Sequence, residues 1–370
     1  MKEGWKIYQL GEVVTFDKRF KGIDRTKQKN IVTFNHVSAE LLKSLSVEGG
    51  EVKLLATGLF DGYTTIEKAG KNLNNGEVIT IPTGGNANIK YYKGLFVDSG
   101  NILAVSNRED IYLRYVWYYL IYQNEFLESC YKGTSIKHPY MPDIWELEVP
   151  IPSLSEQERI VSYLDAEFAK IDALKANIEQ QLQASKDLFQ SALKQYLTPQ
   201  EGWIKGCLGN FLNFRRGYDL THAEMKEGDV PVAGSSGIIG YHNEATNITP
   251  CITVGRSGSV GKLNIYDKCW AHNTTLFVDD FKGNDPYFLA YLIQSLGVGS
   301  YSGGSAVPSL NRNYIHPIPT AVPLSKKEQR DIVVILDTLS DKVKALQANY
   351  DQTITLCNDL KQSLLKSIFA

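Results

Sequence analysis

The stretch SEQERIVSYLDAEFAKIDALKANIEQQL (155–182) decides how this chain is read, because it returns as KEQRDIVVILDTLSDKVKALQANYDQTI (327–354). Gln157, Ile160, Val161, Leu164, Asp165, Leu174 and Asn177 recur as Gln329, Ile332, Val333, Leu336, Asp337, Leu346 and Asn349, at a constant offset of 172. In the first copy Ile160, Leu164, Phe168, Ile171, Leu174, Ile178 and Leu182 follow one another by three or four residues, the period of one helix face. The second seam runs Ile332, Leu336, Leu339, Val343, Leu346, Tyr350 and Ile354. Ser155 with Glu158, and Ser325 with Glu328, read as S-x-x-E capping boxes, and prolines flank both segments. Each helix is about 65 Å long at about 1.5 Å per residue, and a lone seam of that length cannot be buried by its own helix. The economical arrangement pairs the two as an antiparallel coiled coil, since a whole body of chain must fit between the end of one and the start of the other.

A second repeat opens each half. EGWKIYQLGEVVTF from Glu3 returns as EGWIKGCLGNFLNF from Glu201, matching Trp5, Leu10, Gly11 and Phe16 with Trp203, Leu208, Gly209 and Phe214 at an offset of 198. The second half is therefore shorter by 26 residues, 198 against 172. Tyr115, Tyr119, Leu120 and Ile121 already pair with Tyr287, Tyr291, Leu292 and Ile293 at the smaller offset, so the shortening lies before them. Ordered matches at a fixed spacing are the mark of a repeated architecture. Each half is a variable body followed by a more similar rod.

The bodies mix short β-type runs with turns, as in EVITIP (77–82), GLFVDS (94–99), CITVG (251–255) and TTLFVDD (274–280), and helices are expected around 111–128 and 285–296. Dense glycine turns, GSSGIIGY (234–241), GRSGSVG (255–261) and YSGGS (301–305), call for a strongly bent sheet with many loops. The chain has 370 residues and a formal net charge of −2, which excludes a basic coat over the whole molecule but not a local basic surface. Five cysteines, odd in number and with no C-x-x-C pair, argue against a disulfide framework or a zinc ribbon and fit a reducing cytoplasm. The start has no signal-peptide character, and no apolar run approaches the length that spans a bilayer.

Catalytic patterns are missing. There is no phosphate-binding G-x-x-x-x-G-K-[ST], and the six histidines are scattered. Asp143, Glu146 and Glu148 are too cramped for a nuclease cluster, and they read as the strand leading into the first rod. Residues that could touch DNA are more plentiful. The segment DKRFKGIDRTKQK (17–29) carries Lys18, Arg19, Lys21 and Arg25 among six basic side chains. Tyr63, Asn86, Asn88, Lys90, Tyr91 and Lys137 complete the first body's candidates. In the second body the candidates are Arg215, Arg216, Tyr241, His242, Arg256, Ser257, Ser259, Lys262, Asn311 and Arg312. Arginine and asparagine can bond base edges in pairs, and glycine lets backbone approach phosphate.

Two variable bodies, each opening with W-x-x-x-x-L-G and closing in a proline-flanked helix with Glu-Gln at its start, resemble the specificity subunit of type I restriction–modification systems. The likeness covers essentially the whole chain. It is carried by Trp5, Leu10 and Gly11, by Pro150, Pro152, Glu156, Gln157, Ile160 and Leu164, and by their second-half partners Trp203, Leu208, Gly209, Pro319, Pro323, Glu328, Gln329, Ile332 and Leu336. GGSAVPSLNRNYI (303–315) looks like the segment that closes a family recognition domain, whereas KGTSIKHPYMPDIW (132–145) departs from it.

The resemblance implies an α+β fold with two α/β target recognition domains in pseudo-two-fold repeat, separated by two long helices packed as an antiparallel coiled coil. The domains would be 1–152 and 199–323, and the helices 153–198 and 324–370. Each recognition domain would read half of a bipartite double-stranded DNA target, and the helices would set the spacer. The helices, with Gln157, Ile160, Leu164, Gln329, Ile332 and Leu336, would dock two methyltransferase subunits, which restriction subunits would join. The subunit itself would be cytoplasmic and non-catalytic and would hold no cofactor or metal. S-adenosylmethionine, ATP and Mg²⁺ would belong to its partners. The rival reading is a DNA-binding or interaction scaffold outside any restriction–modification system.

Overall fold

In the computed structural model, which describes residues 4–20, 31–303 and 308–370, the repeated seams form two helices of equal length, each of 44 residues. The chain divides into two units, residues 1–176 with 353–370, and residues 177–352. These do not follow the four consecutive segments expected from sequence. Each body takes part of both long helices into its own unit.

The first unit is built on six strands: β1 (Val14–Phe16), β2 (Val52–Ala56), β3 (Asp61–Thr64), β4 (Asn74–Pro82), β5 (Lys90–Ser99) and β6 (Asn101–Ser106). Their order across the sheet is β1-β6-β4-β5-β2-β3. β4 and β5 run antiparallel with Gly76 opposite Gly94, yet Pro82 at the end of β4 faces Asn101, two residues past the far end of β5. Both pairings hold only if the sheet curls back on itself, as the glycine-rich sequence suggested. Gly94 sits at φ +136°, a conformation open to glycine. Helix α1 (Leu113–Tyr122) buries Leu113, Tyr115, Val116, Tyr118, Tyr119 and Leu120 in the same core as Ile79, Ile81, Ile102 and Ala104 of the sheet.

The first long helix, α2 (Leu154–Leu197), begins one residue before Ser155. Ser155 is therefore inside the helix and cannot be its cap. The carbonyl of Ser153 receives the amides of Glu156 and Gln157 instead. Ile160, Val161 and Leu164 enter the core of the first unit, and Ile171 and Leu182 are buried, but Leu174 of the expected seam is 47% exposed.

The second unit repeats the plan. Its main sheet contains β7 (Asn213–Arg216), β10 (Cys251–Gly255), β11 (Leu263–Tyr266) and β12 (Thr275–Asp280) in the order β7-β12-β10-β11, the order of β1-β6-β4-β5. Between β7 and β10 the hairpin β8 (Val230–Gly234) and β9 (Gly237–His242) joins the short strand Trp270–Ala271 in a separate sheet. Helix α3 (Pro286–Ser295) stands where α1 does, and the second long helix is α4 (Lys326–Phe369). Here the expected cap is present: Ser325 precedes α4 and its Oγ accepts from the Lys327 amide, while Glu328 is diverted to the indole of Trp203, 2.9 Å away. Cys251 and Cys269 form a disulfide with Cα atoms 6.0 Å apart. This corrects the expectation from cysteine count and spacing, because the pairing is made by the fold across 18 residues.

The same side chain fastens the start of each rod. Gln157 accepts the Tyr112 amide at 2.8 Å and donates to the carbonyls of Asp110 and Pro152. Gln329 accepts the Asp285 amide at 2.7 Å and donates to Asn284 Oδ1 and the Pro323 carbonyl. Both glutamines are almost fully buried, as are Ile160, Leu164, Ile332 and Leu336. These six residues, which the resemblance placed on docking surfaces, instead hold each helix to its own unit.

In the first unit the two helices run antiparallel. Asp172 pairs with Lys361 at 2.6 Å and Lys175 bonds Asn358 at 2.7 Å, so the number rises on one helix as it falls on the other. The C-terminal turns complete this unit's core: Leu365 is fully buried in it, and the Phe369 ring lies 5.3–5.6 Å from Tyr115, Tyr119 and Tyr122. In the second unit Leu193 and Leu197 of α2 share a core with Ile332, Val333 and Leu336 of α4.

A charged cluster lies inside the first unit. His36 bonds Asp17 through Nε2 at 2.8 Å and Asp98 through Nδ1 at 2.7 Å, and both carboxylates are buried. Asn101 also donates to Asp98. Burial acts to lower the pKa of His36, but the two carboxylates outweigh burial and the neighbouring Arg19 and raise it above the usual histidine value. In the second unit burial, helped by Arg312 and Lys282, lowers the pKa of His316, whose Nε2 lies 3.0 Å from the Phe214 amide and accepts from it.

Two outcomes follow. Leu365→Ala should destabilise the first unit by about 2–5 kcal/mol, with hydrogen-exchange protection lost in β4 and α1 and retained in β10 and α3. His36 contributes stability below about pH 6.5 that is lost as pH rises through its raised folded value. Urea unfolding should therefore show the first unit weakening as pH rises from about 6.5, and His36→Asn should remove that dependence at a cost of about 3–5 kcal/mol, because two buried carboxylates lose a shared partner.

Candidate nucleic-acid interface

In the second unit the shared sheet gathers its loops at one end. Arg216, at the end of β7, faces Leu276, and Gly255, at the end of β10, faces Thr275, while Val254 faces Leu263 at the start of β11. The segments 217–220, 256–262 and 272–274 therefore leave the sheet together. The turn from Gly255 is held by its own backbone, Gly255 to Lys262 and Gly261 to Gly255, both at 2.8 Å. A Cβ on Gly255 would stand 2.0 Å from the Ser259 carbonyl, so this position needs glycine. The Arg256 amide donates to Thr274 and its carbonyl accepts from Leu310, each at 2.8 Å. Its backbone is thus fixed on both sides, and its guanidinium has no hydrogen bond or ion pair with the described residues. Ser257 bridges to Ser309, and Ser259 is exposed.

Arg215 stacks on Tyr218, with 5.5 Å between guanidinium and ring, and Arg216 pairs with Asp219 at 2.9 Å. Asn273 donates to the same carboxylate, whose pKa is lowered by that bond and then by Arg216. Asn311 caps the short helix Arg312–Ile315, and Arg312 reaches the Phe214 carbonyl. Tyr241 stands exposed on β9. His242, expected at the surface, is buried, accepts the Lys226 amide and packs edge-on to Trp270, so it is core and cannot reach a ligand. Lys262 donates its ammonium to the Ser236 carbonyl in the turn between β8 and β9.

The first unit has the same assembly in different residues. Thr83 bonds Gly100, Gly85 bonds the Lys137 carbonyl and His138 bonds the Thr83 carbonyl, so the segments 83–88, 99–101 and 132–138 meet. Asp17 donates its amide to Leu103, which brings Lys18 and Arg19 out at this end too. Asn86 and Lys137 are exposed. Lys21 and Arg25 lie outside the described residues. Two candidates serve the fold instead: Asn88 donates to the Thr57 and Gly58 carbonyls, and Lys90 donates to those of Ala56 and Gly58 at 2.7 Å each. Burial lowers the pKa of Lys90. Tyr91 donates to Glu77 and is half-buried against Trp117, and Tyr63 is half-exposed beneath the Lys53 ammonium at 4.2 Å. Asp143 lies in the short helix Met141–Trp145 rather than in the expected strand, and pairs with Lys132 at 3.3 Å.

The sequence sets the turn with Arg256, Ser257, Ser259 and Lys262 opposite 86–93, and the structure gives that equivalence a physical role. Carried back beyond Tyr115, the offset of 172 matches Lys90 with Lys262 and 83–88 with 255–260. In each unit that lysine clamps a carbonyl in the turn of the neighbouring hairpin, 56–60 in one and 234–237 in the other. Among the described residues there is no cluster of three metal-ligating side chains and no helix long and apolar enough to cross a membrane.

The family model of the type I restriction modification DNA specificity domain matches residues 2–184 and 200–356. A curated relative, the type I restriction enzyme MjaVIII specificity subunit of Methanocaldococcus jannaschii, is 22% identical over 211 residues, 56% of this chain and 46% of that protein. The chain thus spans about half the length of this relative in the match. Among solved structures, the type I restriction-modification S subunit from M. genitalium superposes with a TM-score of 0.51 at 17% identity, covering 97% of this chain and 96% of that one. A chain from work on complex assembly and conformational transition of the type I R-M system superposes with a TM-score of 0.70 at 18% identity, covering 100% and 98%. At these identities the superpositions speak for the fold, and the family model, matched once in each half over most of the chain, shows that this protein belongs to the type I restriction–modification DNA specificity family.

Proposed function

We propose that each unit reads one half of a bipartite double-stranded DNA sequence through its loop cluster, and that α2 and α4 set the number of unread base pairs between the halves. The observation that carries this reading is the pair of loop clusters: the same strand order places both at the same end of the sheet, with different side chains on them. Arg256 is the strongest base-reading candidate. Its backbone is bonded on both sides, and its guanidinium, without a hydrogen bond or ion pair to the described residues, can bond guanine O6 and N7 together. Lys18, Arg19, Lys137 and Arg215 would contact phosphate, which positions without reading.

A net charge of −2 leaves little backbone neutralisation to this chain alone. Methyltransferase subunits seated on the outer faces of the rods would supply it, along with S-adenosylmethionine and the methyl transfer. Restriction subunits would bring ATP and Mg²⁺. This chain would bind, orient and measure and would carry out no chemical step, in the cytoplasm.

The test is binding and methylation with a cognate methyltransferase subunit at matched salt. Specific affinity should rise when the methyltransferase is present, and equal affinity with and without it would contradict the proposal. Arg256→Ala in the complex should cost about 1–3 kcal/mol and relax one position in one half-site, while Lys137→Ala should weaken all sequences alike. Loss of discrimination in both half-sites from Arg256→Ala would contradict independent reading.

A further inference from the structure

We propose that Leu59 recognises a thymine in the half-site read by the first unit, through the methyl group of the base. This rests on the reading that the loop cluster of that unit faces DNA. A single exposed leucine is ordinary on a protein surface; what distinguishes Leu59 is where it stands and what surrounds it. It is 94% exposed, at the tip of the turn between β2 and β3. That turn is not loose. The carbonyls of Ala56, Thr57 and Gly58 receive Asn88 and Lys90 at 2.7–3.2 Å, and Lys53 pairs with Asp61 across the base of the hairpin. Asn88 and Lys90 belong to the segment that also carries Asn86, so the turn is fastened to the loop cluster itself.

These bonds decide the chemistry at the tip. The three carbonyls leading up to Leu59 are occupied and offer little to a base, and what projects beyond them is an isobutyl group on a braced backbone. In the major groove the one apolar group on a base edge is the thymine methyl. Against the other three bases the leucine would cover donors and acceptors and leave them unpaired. Beside the turn is a cleft of about 360 Å³, lined among others by Leu59, Phe60, Tyr92 and the Lys53–Asp61 pair, which gives the methyl group an apolar wall. The second unit holds its hairpin turn by the equivalent lysine, but presents Ser235 and Ser236 there, beside Arg256. The two units would therefore read by different means, apolar contact in one and hydrogen bonding in the other.

The experiment uses the full chain bound to its methyltransferase, on duplexes carrying the methylated target. Each thymine is replaced in turn by deoxyuridine, which lacks only the methyl group. With the wild-type chain, one substitution in one half-site should weaken binding about fourfold, the worth of one buried methyl. Leu59→Ala should bind the thymine duplex more weakly by a similar factor and be indifferent to that replacement. Because Leu59 makes no core contact, the variant should fold, and unchanged discrimination in the other half-site checks this. The proposal is overturned if no deoxyuridine weakens the wild-type chain or if the penalty persists in Leu59→Ala. It is also overturned if Leu59→Ala acts only by abolishing unstacking of a neighbouring 2-aminopurine, the sign of a wedge between bases. A wild-type complex with no sequence preference at all would instead overturn the DNA-reading function, and this proposal with it.

Discussion

A 44-residue helix with one apolar seam cannot exist alone in water, and this constraint organises the rest of the chain. Each long helix begins on the body that precedes it, fixed there by a buried glutamine that satisfies one loop amide and two acceptors. Each then extends into the other unit. The first unit is completed by Leu365 and Phe369 from the far end of the sequence, and the second by Leu193 and Leu197 of the first helix. A rod shared in this way has its inner face already used.

On that base the bodies can differ without losing the scaffold. The order β1-β6-β4-β5 recurs as β7-β12-β10-β11, and the loops at its end are tied largely by backbone bonds. What differs lies between the opening motif and the shared strands: two strands added to the sheet in one unit, a separate hairpin in the other. Lys90 and Lys262 fasten these different parts to the common loops in the same way, by donating to a turn carbonyl. An ammonium group satisfied by carbonyls is worth more as a brace than as a phosphate contact, which is why these residues mislead a reading based on charge.

The repeat, both rods, their antiparallel pairing and the main strands were legible, because periodicity and self-similarity report burial directly. Residue roles inside the loops were not. Asn88, Lys90 and His242 look like DNA-binding side chains in sequence, and only their partners show that they belong to the scaffold. The bonding of Asp17, His36 and Asp98 joins residues up to 81 apart in sequence and leaves no local pattern. Ser155 misled because the helix starts one residue earlier, at Leu154, which places the S-x-x-E pattern inside it, whereas Ser325 caps as expected. The helical residues assigned to docking were legible as important, but burial turns their importance inward.

Exchanging one body tests the central claim most directly. Residues 204–323 would be replaced by the corresponding body of another family member, and the methylated bases mapped across a genome carrying the hybrid with a cognate methyltransferase. Independent readers on a shared ruler predict a motif in which one half-site is new, while the other half-site and the spacer length are unchanged. A motif altered in both halves, or one unchanged throughout, would contradict it.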